Sequence, residues 1–571
     1  MKRLVRWLFS WRTARRALIG VAVLVTLYAL YCTEENVRGK RAWNKYRREL
    51  EASGAQLDFA AFIPKPVPDE ENFAATPVIK SWFRKENMPA SDKLWNDNYS
   101  RAAARVGVDN GRHVMDLAAW AMAFDDANPR WSMEPGKLEG RRMADLTAWG
   151  MAFEDTSPIQ GTEPGELEGR RVTDVAAGRM PGDDTNSIPR IEPGKLDLES
   201  RADAAPSVLE ELSTNETIFA QLRAASQRPY SRYTVEYNVD YPYAILLPHL
   251  GSMRAVCRRL GLKACAELAE GRRQDALEDI KLALYVADSV KEEPFIISYL
   301  VRIACLQSAI QPIWEGLAEH AWSDAQLQEI QTRLQSYNFI ADLRRPYDGE
   351  RAGGVASIDL GRKQGLGALV DLIGNGQPTG SDRAAANFLG KIVPQGWFYQ
   401  EQVNYCRLFG LQIAATFDGS SKRVYPSRVQ SNARELGQAF GRRNPFSVIF
   451  LRHQLMSMML LPALERFPLR GAIAQTTADQ AALACALERY RLANGRFPDT
   501  LDALVPQFIS QLPHDVITGE PYKYRRTADR QFVLYSVGWN EKDDGGVPGK
   551  TLFDEKEGDW VWQYPEPTIV R

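Results

Sequence analysis

The segment YSVGWNEKDDGGVPGKTLFDEKEGDW, residues 535–560, holds two patterns that could support chemistry. One is GKT at 549–551, which ends the phosphate-binding pattern G-x-x-x-x-G-K-[ST], where backbone N–H groups at a helix N-terminus face the phosphates. Counting back, the first glycine of that pattern falls on Asp544, and the text that follows, LFDEKEGDW, is too acidic for a phosphate-binding helix. A phosphate-binding loop is therefore excluded.

The carboxylates of the same segment suit a hard cation better, because calcium prefers several carboxylate and carbonyl oxygens on a flexible turn. The spacing differs from that of an EF-hand, since the third position counted from Asn540 is Lys542 and the twelfth is Thr551. Lys542 and Lys550 also reduce the negative charge of the segment. The residues alone leave two interpretations open, a calcium site and a solvated acidic loop.

A second candidate surface is the aromatic segment RPYSRYTVEYNVDYPY, residues 228–243. Its tyrosines and arginines could bind a glycan or a peptide through ring stacking and cation–π contacts. The candidate ligand-binding residues are Arg228, Tyr230, Arg232, Tyr233 and Tyr237. The alternative interpretation is a pair of buried strands with the tyrosine hydroxyls at the rim. A similar aromatic segment, VPQGWFYQEQVNY, follows at 393–405.

Patterns typical of catalytic sites are missing from the sequence. It contains no H-E-x-x-H, G-x-S-x-G or G-x-G-x-x-G, and its five histidines form no cluster with metal-ligand spacing. His249 and His453 lie in apolar settings and are expected to be core residues. The six cysteines form no C-x-x-C pair and an odd five lie beyond the anchor, which matches neither a zinc pattern nor a disulfide framework, and most are expected to be buried on helices. The sequence therefore favours a non-enzymatic protein.

Composition places the chain among globular proteins without a general affinity for nucleic acid. Its 571 residues include 71 basic and 72 acidic ones, so the net charge of −1 provides no field that attracts nucleic acid. With 44% hydrophobic and 25% charged residues, the chain is typical of folded proteins. Its length predicts about two to four domains rather than a single core.

The N-terminus differs from the rest of the chain in charge and hydropathy. MKRLVRWLFSWRTARR holds six basic residues and no acid, and it precedes the apolar run ALIGVAVLVTLYALYC, residues 17–32. With Thr13 and Ala14, this run approaches the roughly 20 residues that span a bilayer. The positive-inside rule places the N-terminus in the cytoplasm and the bulk of the chain outside, and no small-x-small cleavage pattern follows. The sequence predicts an uncleaved single-pass anchor in the inner (cytoplasmic) membrane.

The remaining boundaries follow from composition and repeats. After the tail and transmembrane anchor, residues 1–33, we expect a stalk that leads into the body (34–110), an insertion (111–203), a helical domain (204–345), a helical and loop-rich region (346–470) and a C-terminal module (471–571). The insertion repeats EPG every 29 residues, at Glu134, Glu163 and Glu192, which indicates recent duplication in a surface loop. The predicted fold is mainly α.

Several local signals within these regions are specific. Residues 292–317, EEPFIISYLVRIACLQSAIQPIWEGL, are apolar on most faces and predict a buried core helix, and Ser323 with Gln326 forms a capping box for the next helix. A long helix is predicted from about Ala472 to Asn494, where the following glycine ends it. Alternation in PYKYRR and QFVLYSVG predicts two antiparallel strands. The C-terminal module is therefore expected to be α+β.

The C-terminal module resembles the soluble domain of the major pseudopilin of type II secretion. The matching text is ALERYRLANGRFPDTLDALV, then LPHDVITGEPYKY, then FVLYSVG, followed by the acidic loop. In that family the loop binds calcium, and the resemblance implies that the ligands here are Asn540, Asp543, Asp544 and Asp559. Unlike a pseudopilin, this chain has its anchor about 440 residues upstream, and Val25 stands where the family has a glutamate. Assembly into a pseudopilus is therefore not expected.

The whole chain, from ENFAATPVI (71–79) through RPYSRY and LLPHL to YSVGWN, resembles large membrane-anchored proteins of planctomycete and verrucomicrobial type. That resemblance implies an architecture but no reaction. The sequence thus predicts an extracytoplasmic scaffold or partner-binding protein of the cell envelope, with envelope proteins or a secretion-like assembly as expected partners. Two alternatives stay open: an extracytoplasmic hydrolase that uses dispersed Asp, Glu or His, and a glycan- or peptide-binding receptor.

Overall fold

The computed structural model describes residues 11–83, 115, 117, 201–365, 393–440 and 452–564. The predicted insertion at 111–203, with its repeats, lies almost entirely outside these residues. Where the chain is described, it is mainly helical and contains two small antiparallel sheets. This confirms the predicted mainly α class.

Helix α1, Trp11–Ala52, runs through the predicted anchor and into the predicted stalk without a break. Large apolar side chains are exposed along its first half, from Leu18 to Tyr31. Along its second half, Glu35 and Trp43 are buried against the body. The second half of α1 thus packs on the body instead of standing free as a stalk.

The proline-rich segment after α1 also belongs to the body. It forms three 3-10 turns and a short helix α2: Phe59–Phe62, Asp69–Glu71, Phe73–Ala75 and Pro77–Ser81. The Asp58 and Asn72 side chains accept hydrogen bonds from backbone N–H groups two residues on, which begins two of these turns. Phe59, Phe62 and Phe73 are buried, so the segment contributes to the hydrophobic core.

Helices α3 to α8 form the first part of the body. Their bounds are Arg201–Ser213 (α3), Glu216–Ala225 (α4), His249–Ala269 (α5), Arg273–Asp288 (α6), Ile296–Ala318 (α7) and Asp324–Gln335 (α8). Helices α5, α6 and α7 pack against one another. Helix α7 is largely buried, which confirms the predicted core helix. The predicted capping box is also present, with hydrogen bonds in both directions between Ser323 and Gln326 at the start of α8.

The second part of the body continues with shorter and more irregular elements. They are α9, Phe339–Asp342; α10, Arg344–Gln364; α11, Gln395–Ile413; the hairpin β1, Phe417–Asp418, and β2, Arg423–Val424; α12, Pro426–Phe440; and α13, Leu455–Leu460. Helix α11 packs along α1 and α10. This arrangement connects the anchor helix to the interior of the body.

The C-terminal part begins with helix α14, Phe467–Asn494, which ends at Gly495 in the left-handed conformation (φ 75°), as predicted. The helix is buried on nearly all sides as far as Glu488, because α7, α8 and α9 pack around it. A three-stranded antiparallel sheet follows in the order β3, Lys523–Arg526; β4, Phe532–Ser536; β5, Trp560–Trp562. Lys523 pairs with Tyr535, which confirms the predicted pair of strands.

The buried apolar side chains form one main cluster that extends from Trp43 to Trp562. This cluster includes residues of α1, of all the body helices from α4 to α14, and of the C-terminal sheet. The boundaries predicted near residues 345 and 470 therefore do not separate independent cores. The long helix α14 is shared between the body and the C-terminal sheet.

Candidate functional site

The joint between α1 and the body is the place where α1 packs against α11. Gly39 of α1 and Gly396 of α11 face each other so closely that a Cβ on either one would meet backbone atoms of the other helix. The clashing atoms are the carbonyl of Gly396 on one side and the carbonyl of Glu35 on the other. Only glycine permits this contact, because any side chain would push the two helices apart.

Polar groups fix the same joint in register. The Asn36 side-chain oxygen accepts a hydrogen bond from the Gly396 N–H at 2.6 Å, a donor that the first turn of α11 leaves without an intrahelical partner. The carboxylate of Glu35 is buried, pairs with Arg38, and lies 3.8 Å from His453 Nε2. Burial lowers the pKa of His453. The joint is therefore held by directional contacts as well as by packing.

A buried carboxylate attaches the next layer of the body to α11. Glu401 accepts hydrogen bonds from the backbone N–H groups of Leu455 (3.0 Å) and Met456 (2.7 Å), at the start of α13. Burial raises the pKa of Glu401 to about 7, and these backbone donors act in the opposite direction. His453, which contacts the joint, lies two residues before the start of this helix. Glu401 thus positions the segment that closes over the joint.

The acidic C-terminal loop is closed around Asp559, one of the predicted metal ligands. Asp559 is buried, and its two carboxylate oxygens accept the N–H groups of Asp544 (3.2 Å) and Gly546 (2.6 Å). Gly545 and Gly546 both have positive φ, at 76° and 80°, which turns these N–H groups toward one anion. Burial raises the pKa of Asp559. In this arrangement the carboxylate serves as an acceptor for backbone donors.

The other three predicted ligands form hydrogen bonds within the same region. Asn540 donates to the Asp544 carboxylate at 2.9 Å. Asp543 accepts from the Tyr535 hydroxyl at 3.1 Å and lies 3.6 Å from Lys523 Nζ. Among the described residues, no group of three or more His, Cys, Asp or Glu side chains is placed to hold a metal ion. The calcium site therefore stays a prediction from the sequence.

Thermal unfolding of the full chain in detergent checks the calcium prediction. If the loop binds calcium, the ion should raise the unfolding midpoint by several degrees relative to chelator, because it binds the folded state only. The double substitution Asp543→Ala/Asp544→Ala should abolish that rise, whereas Asp529→Ala in the neighbouring β3–β4 turn should keep it. Equal midpoints with calcium and with chelator in the wild type would contradict the prediction.

The tyrosine-rich segment runs as an extended chain along the turn at Asn72. Tyr230 exchanges two backbone hydrogen bonds with this turn, to Glu71 and Phe73, and its own ring is 51% exposed. The Arg228 guanidinium donates to the Asn72 carbonyl at 2.8 Å. Arg232 Nε donates to the Pro64 carbonyl at 2.9 Å. Both arginines thus hold backbone carbonyls of the proline-rich segment.

The other two predicted ligand-binding tyrosines face the core. Tyr233 is buried, forms a 2.7 Å hydrogen bond with Ser289, and stacks on the ring of His249 with centroids 4.3 Å apart. Tyr237 stacks on Phe295 at 5.9 Å. Burial raises the pKa of both tyrosines. Of the five predicted ligand-binding residues, Tyr230 alone presents an exposed aromatic ring.

Two buried charge clusters of the body were not predicted from the sequence. In the first, Lys263 donates to Glu267 and to Asp279, each at 2.7 Å. In the second, Arg302 of α7 bonds Asp288 and Asp342, each at 2.7 Å. A signal was available for Arg302, since a cation inside an apolar run must find acidic partners. Both clusters connect different helices and act as internal cross-links.

His249 lies in the core, as predicted, but in a polar arrangement that the sequence did not reveal. Its Nε2 is 2.9 Å from Glu293, whose other oxygen accepts the Ser298 hydroxyl. The ring lies between Tyr233 and Phe83. Its Nδ1 is buried and has no hydrogen-bond partner in the described part of the chain. The order of contacts is Ser–Glu–His, so the Ser298 hydroxyl donates to a carboxylate and not to the histidine, unlike the Ser–His–Asp order of the catalytic triad.

One shallow cleft of about 460 Å³ opens on the surface between the start of α6 and the start of α8. Its walls include Gly271, Arg273, Gln274, Asp275, Gln326 and Glu329. A hydrogen bond of 3.2 Å from Gln326 to Gln274 bridges the two helices. Cations and carboxylates are mixed along the cleft, so its charge selects no class of ligand.

No protein-family model, curated protein or solved structure matches the chain.

Proposed function

We propose that this protein is a membrane-anchored scaffold of the cell envelope, which holds a helical body at a fixed position beside the membrane and binds partner proteins there. The observation that carries the proposal is the continuity of α1. One helix of 42 residues supplies both the exposed apolar segment and the segment that packs on α11. Because no flexible linker lies between the two segments, the body would be held at a fixed distance and orientation relative to the membrane.

The exposed half of α1 supports insertion into a bilayer. The 18 most apolar consecutive residues of α1 have a mean hydropathy of 1.5, and 6% of this stretch is buried. The corresponding stretch of α7 is similarly apolar, with a mean hydropathy of 1.4, but 72% of it is buried. Other helices enclose α7, whereas large apolar side chains of α1 from Leu18 to Tyr31 are exposed. Lipid would remove this apolar surface from water, at about 25 cal/mol for each Å² covered.

The net charge differs between the two sides of the span. The six basic residues before the span have no acidic residue among them. Basic residues after the span have acidic neighbours: Arg38 pairs with Glu34 and Glu35, and Arg47 pairs with Glu51 at 2.7 Å. The net positive charge lies on the N-terminal side, but Lys and Arg number six on each side within about 20 residues of the span, so the count that the positive-inside rule uses selects neither orientation. The labelling experiment below decides the orientation.

The C-terminal part supports a link to secretion-like assemblies. A long helix, a glycine that ends it and a three-stranded antiparallel sheet follow in the order expected for a pseudopilin soluble domain. Here the helix is buried in the body, so the module would be presented by the scaffold and would not polymerise through its own anchor. The partners are then envelope proteins that contact the body and the exposed strand β3 at its C-terminal part.

Cysteine labelling tests the anchor and its orientation in the full chain. Lys2→Cys and Lys556→Cys, each made with Cys32→Ser, place one accessible thiol at either end. A membrane-impermeant maleimide should label Lys556→Cys in intact spheroplasts and Lys2→Cys only after lysis. The protein should also stay in the membrane pellet at alkaline pH. The reverse labelling would overturn the orientation, and release into the soluble fraction would overturn the anchor.

Cross-linking tests the scaffold role. An impermeant amine-reactive cross-linker applied to the same spheroplasts should produce discrete adducts of the full chain with other envelope proteins. A chain that is recovered only as the uncross-linked species, at a cross-linker concentration that traps a known envelope complex, would contradict partner binding.

A further inference from the structure

Two buried cysteines lie together where α5 and α7 come into backbone contact. A Cβ added to Gly261 of α5 would strike the Ser308 carbonyl of α7, so the helices approach closely at this level. Cys257 lies one turn before Gly261, and Cys305 lies three residues before Ser308. Because the two helices run side by side in the same direction, both cysteines lie at the same level of the interface.

Both cysteines are free in this structure, and their thiols are close enough to interact. The Cys257 thiol interacts electrostatically with that of Cys305, and its Sγ donates to the Ala283 carbonyl oxygen of α6 at 3.7 Å. Both side chains are completely buried. A disulfide requires adjacent side chains on backbones that are already close, and packing at a glycine provides this condition here.

We propose that Cys257 and Cys305 form a disulfide that joins α5 to α7 when the chain folds outside the cytoplasm. The two S–H bonds break and one S–S bond forms. Two protons leave, and two electrons pass to a disulfide oxidant, either oxidised glutathione or a protein disulfide, which is reduced to two thiols. The proposal rests on the extracytoplasmic location proposed above, where such oxidants are present.

Oxidation would occur during folding rather than afterwards. Burial raises the pKa of the Cys257 thiol, so little thiolate is present in the folded state. In the partly folded chain the two thiols are still open to an oxidant, and packing of α5 on α7 brings them together. The bond closes a loop of about fifty residues that includes α6, so it would restrict the unfolded chain and stabilise this helical group.

Synthesis of the full chain in a cell-free system with liposomes tests the pair independently of cellular location. One reaction contains an oxidising glutathione couple and the other a reducing one. The oxidised product should show a Cys257–Cys305 cross-linked peptide by mass spectrometry, and its unfolding midpoint should be higher by about 5 °C. Cys257→Ala and Cys305→Ala should each abolish both effects. Cys485→Ala, at an equally buried cysteine on α14, should keep them.

The outcomes separate the pair from the location. A product that unfolds cooperatively but alkylates fully at both cysteines in the oxidising reaction would overturn the proposal. The second measurement uses the full chain from cells, whose free thiols are blocked with an alkylating agent at harvest, and determines whether Cys257 and Cys305 are disulfide-bonded. The disulfide in that sample supports the proposal in the cell. Its absence there, together with its presence in the cell-free product, would overturn the extracytoplasmic location instead.

Discussion

Replacing Gly396 with alanine should separate the second half of α1 from α11 and lower the free energy of unfolding by about 3 kcal/mol, the upper end of the usual cost of overpacking. The new Cβ would lie against the Glu35 carbonyl, well inside van der Waals contact. That carbonyl is part of a helix backbone and cannot turn away, so relief requires the helices to move apart. Trp43 would then lose its buried position. Denaturant unfolding in detergent, followed by tryptophan fluorescence, measures the effect.

Gly410→Ala is the matched control, because it lies on the same helix and nothing would lie within 4 Å of its Cβ. It should leave stability unchanged or raise it by up to about 1 kcal/mol, since alanine favours a helix over glycine. Limited trypsin digestion adds a second measure. Detachment in Gly396→Ala should speed cleavage at the exposed Arg41 and Arg48 while the anchor stays in the membrane. Equal stability and equal cleavage in both variants would contradict the rigid joint.

Stability should fall as the pH rises from about 4.5 to about 7. Four buried carboxyl groups have their pKa raised to about 7 by burial: Glu267, Glu350, Glu401 and Asp479. Within this window the folded state keeps protons that the unfolded state releases, so raising the pH favours unfolding. Below about pH 4.5 these carboxyl groups are protonated in both states, so the free-energy cost of burying their charge is absent. Above about pH 7 they are ionised in both states, and the folded state bears the full cost. The unfolding midpoint should therefore be higher at pH 5 than at pH 8.

Glu350→Gln isolates the contribution of one group. Its pKa rises from 4.5 to about 7, which corresponds to about 3 kcal/mol at pH 8. Glutamine carries no charge, so the variant avoids the cost of burying a carboxylate at pH 8. The variant should therefore lose less stability than wild type when the pH is raised from 5 to 8. Glu211→Gln, at an exposed position of α3, should leave the difference between pH 5 and pH 8 unchanged. Identical pH profiles for wild type and Glu350→Gln would show that Glu350 is not the source.

The buried position of α14 changes how the C-terminal part is understood. The sequence predicted a long helix from about Ala472 to Asn494 as part of a separate C-terminal module. In the structure even Gln475, Asp479 and Gln480 are buried, because α7, α8 and α9 enclose the helix. Asp479 accepts a hydrogen bond from Gln475 at 2.9 Å, which satisfies part of this buried polar group. A module that shares its main helix with the body is held in a fixed orientation by it.

The sequence by itself determined the features that depend on neighbouring residues. The apolar run of the anchor, the end of α14 at Gly495, the capping box at Ser323 and the β3–β4 pair were all predicted and are all present. Each feature depends on hydrogen bonds or periodicity within a few residues, so a short segment of sequence is enough to predict it.

Only the tertiary structure decided which distant residues meet. The contact of Gly39 with Gly396 joins positions more than 350 residues apart, and Arg302 finds its partners on two other helices. Nothing in the spacing of these residues indicates such pairs, because they depend on how whole helices are placed. The same limit applies to Tyr233 and Tyr237, whose rings face the core although their sequence context suits a binding surface equally well. Burial is a property of the packed chain, and local sequence cannot specify it alone.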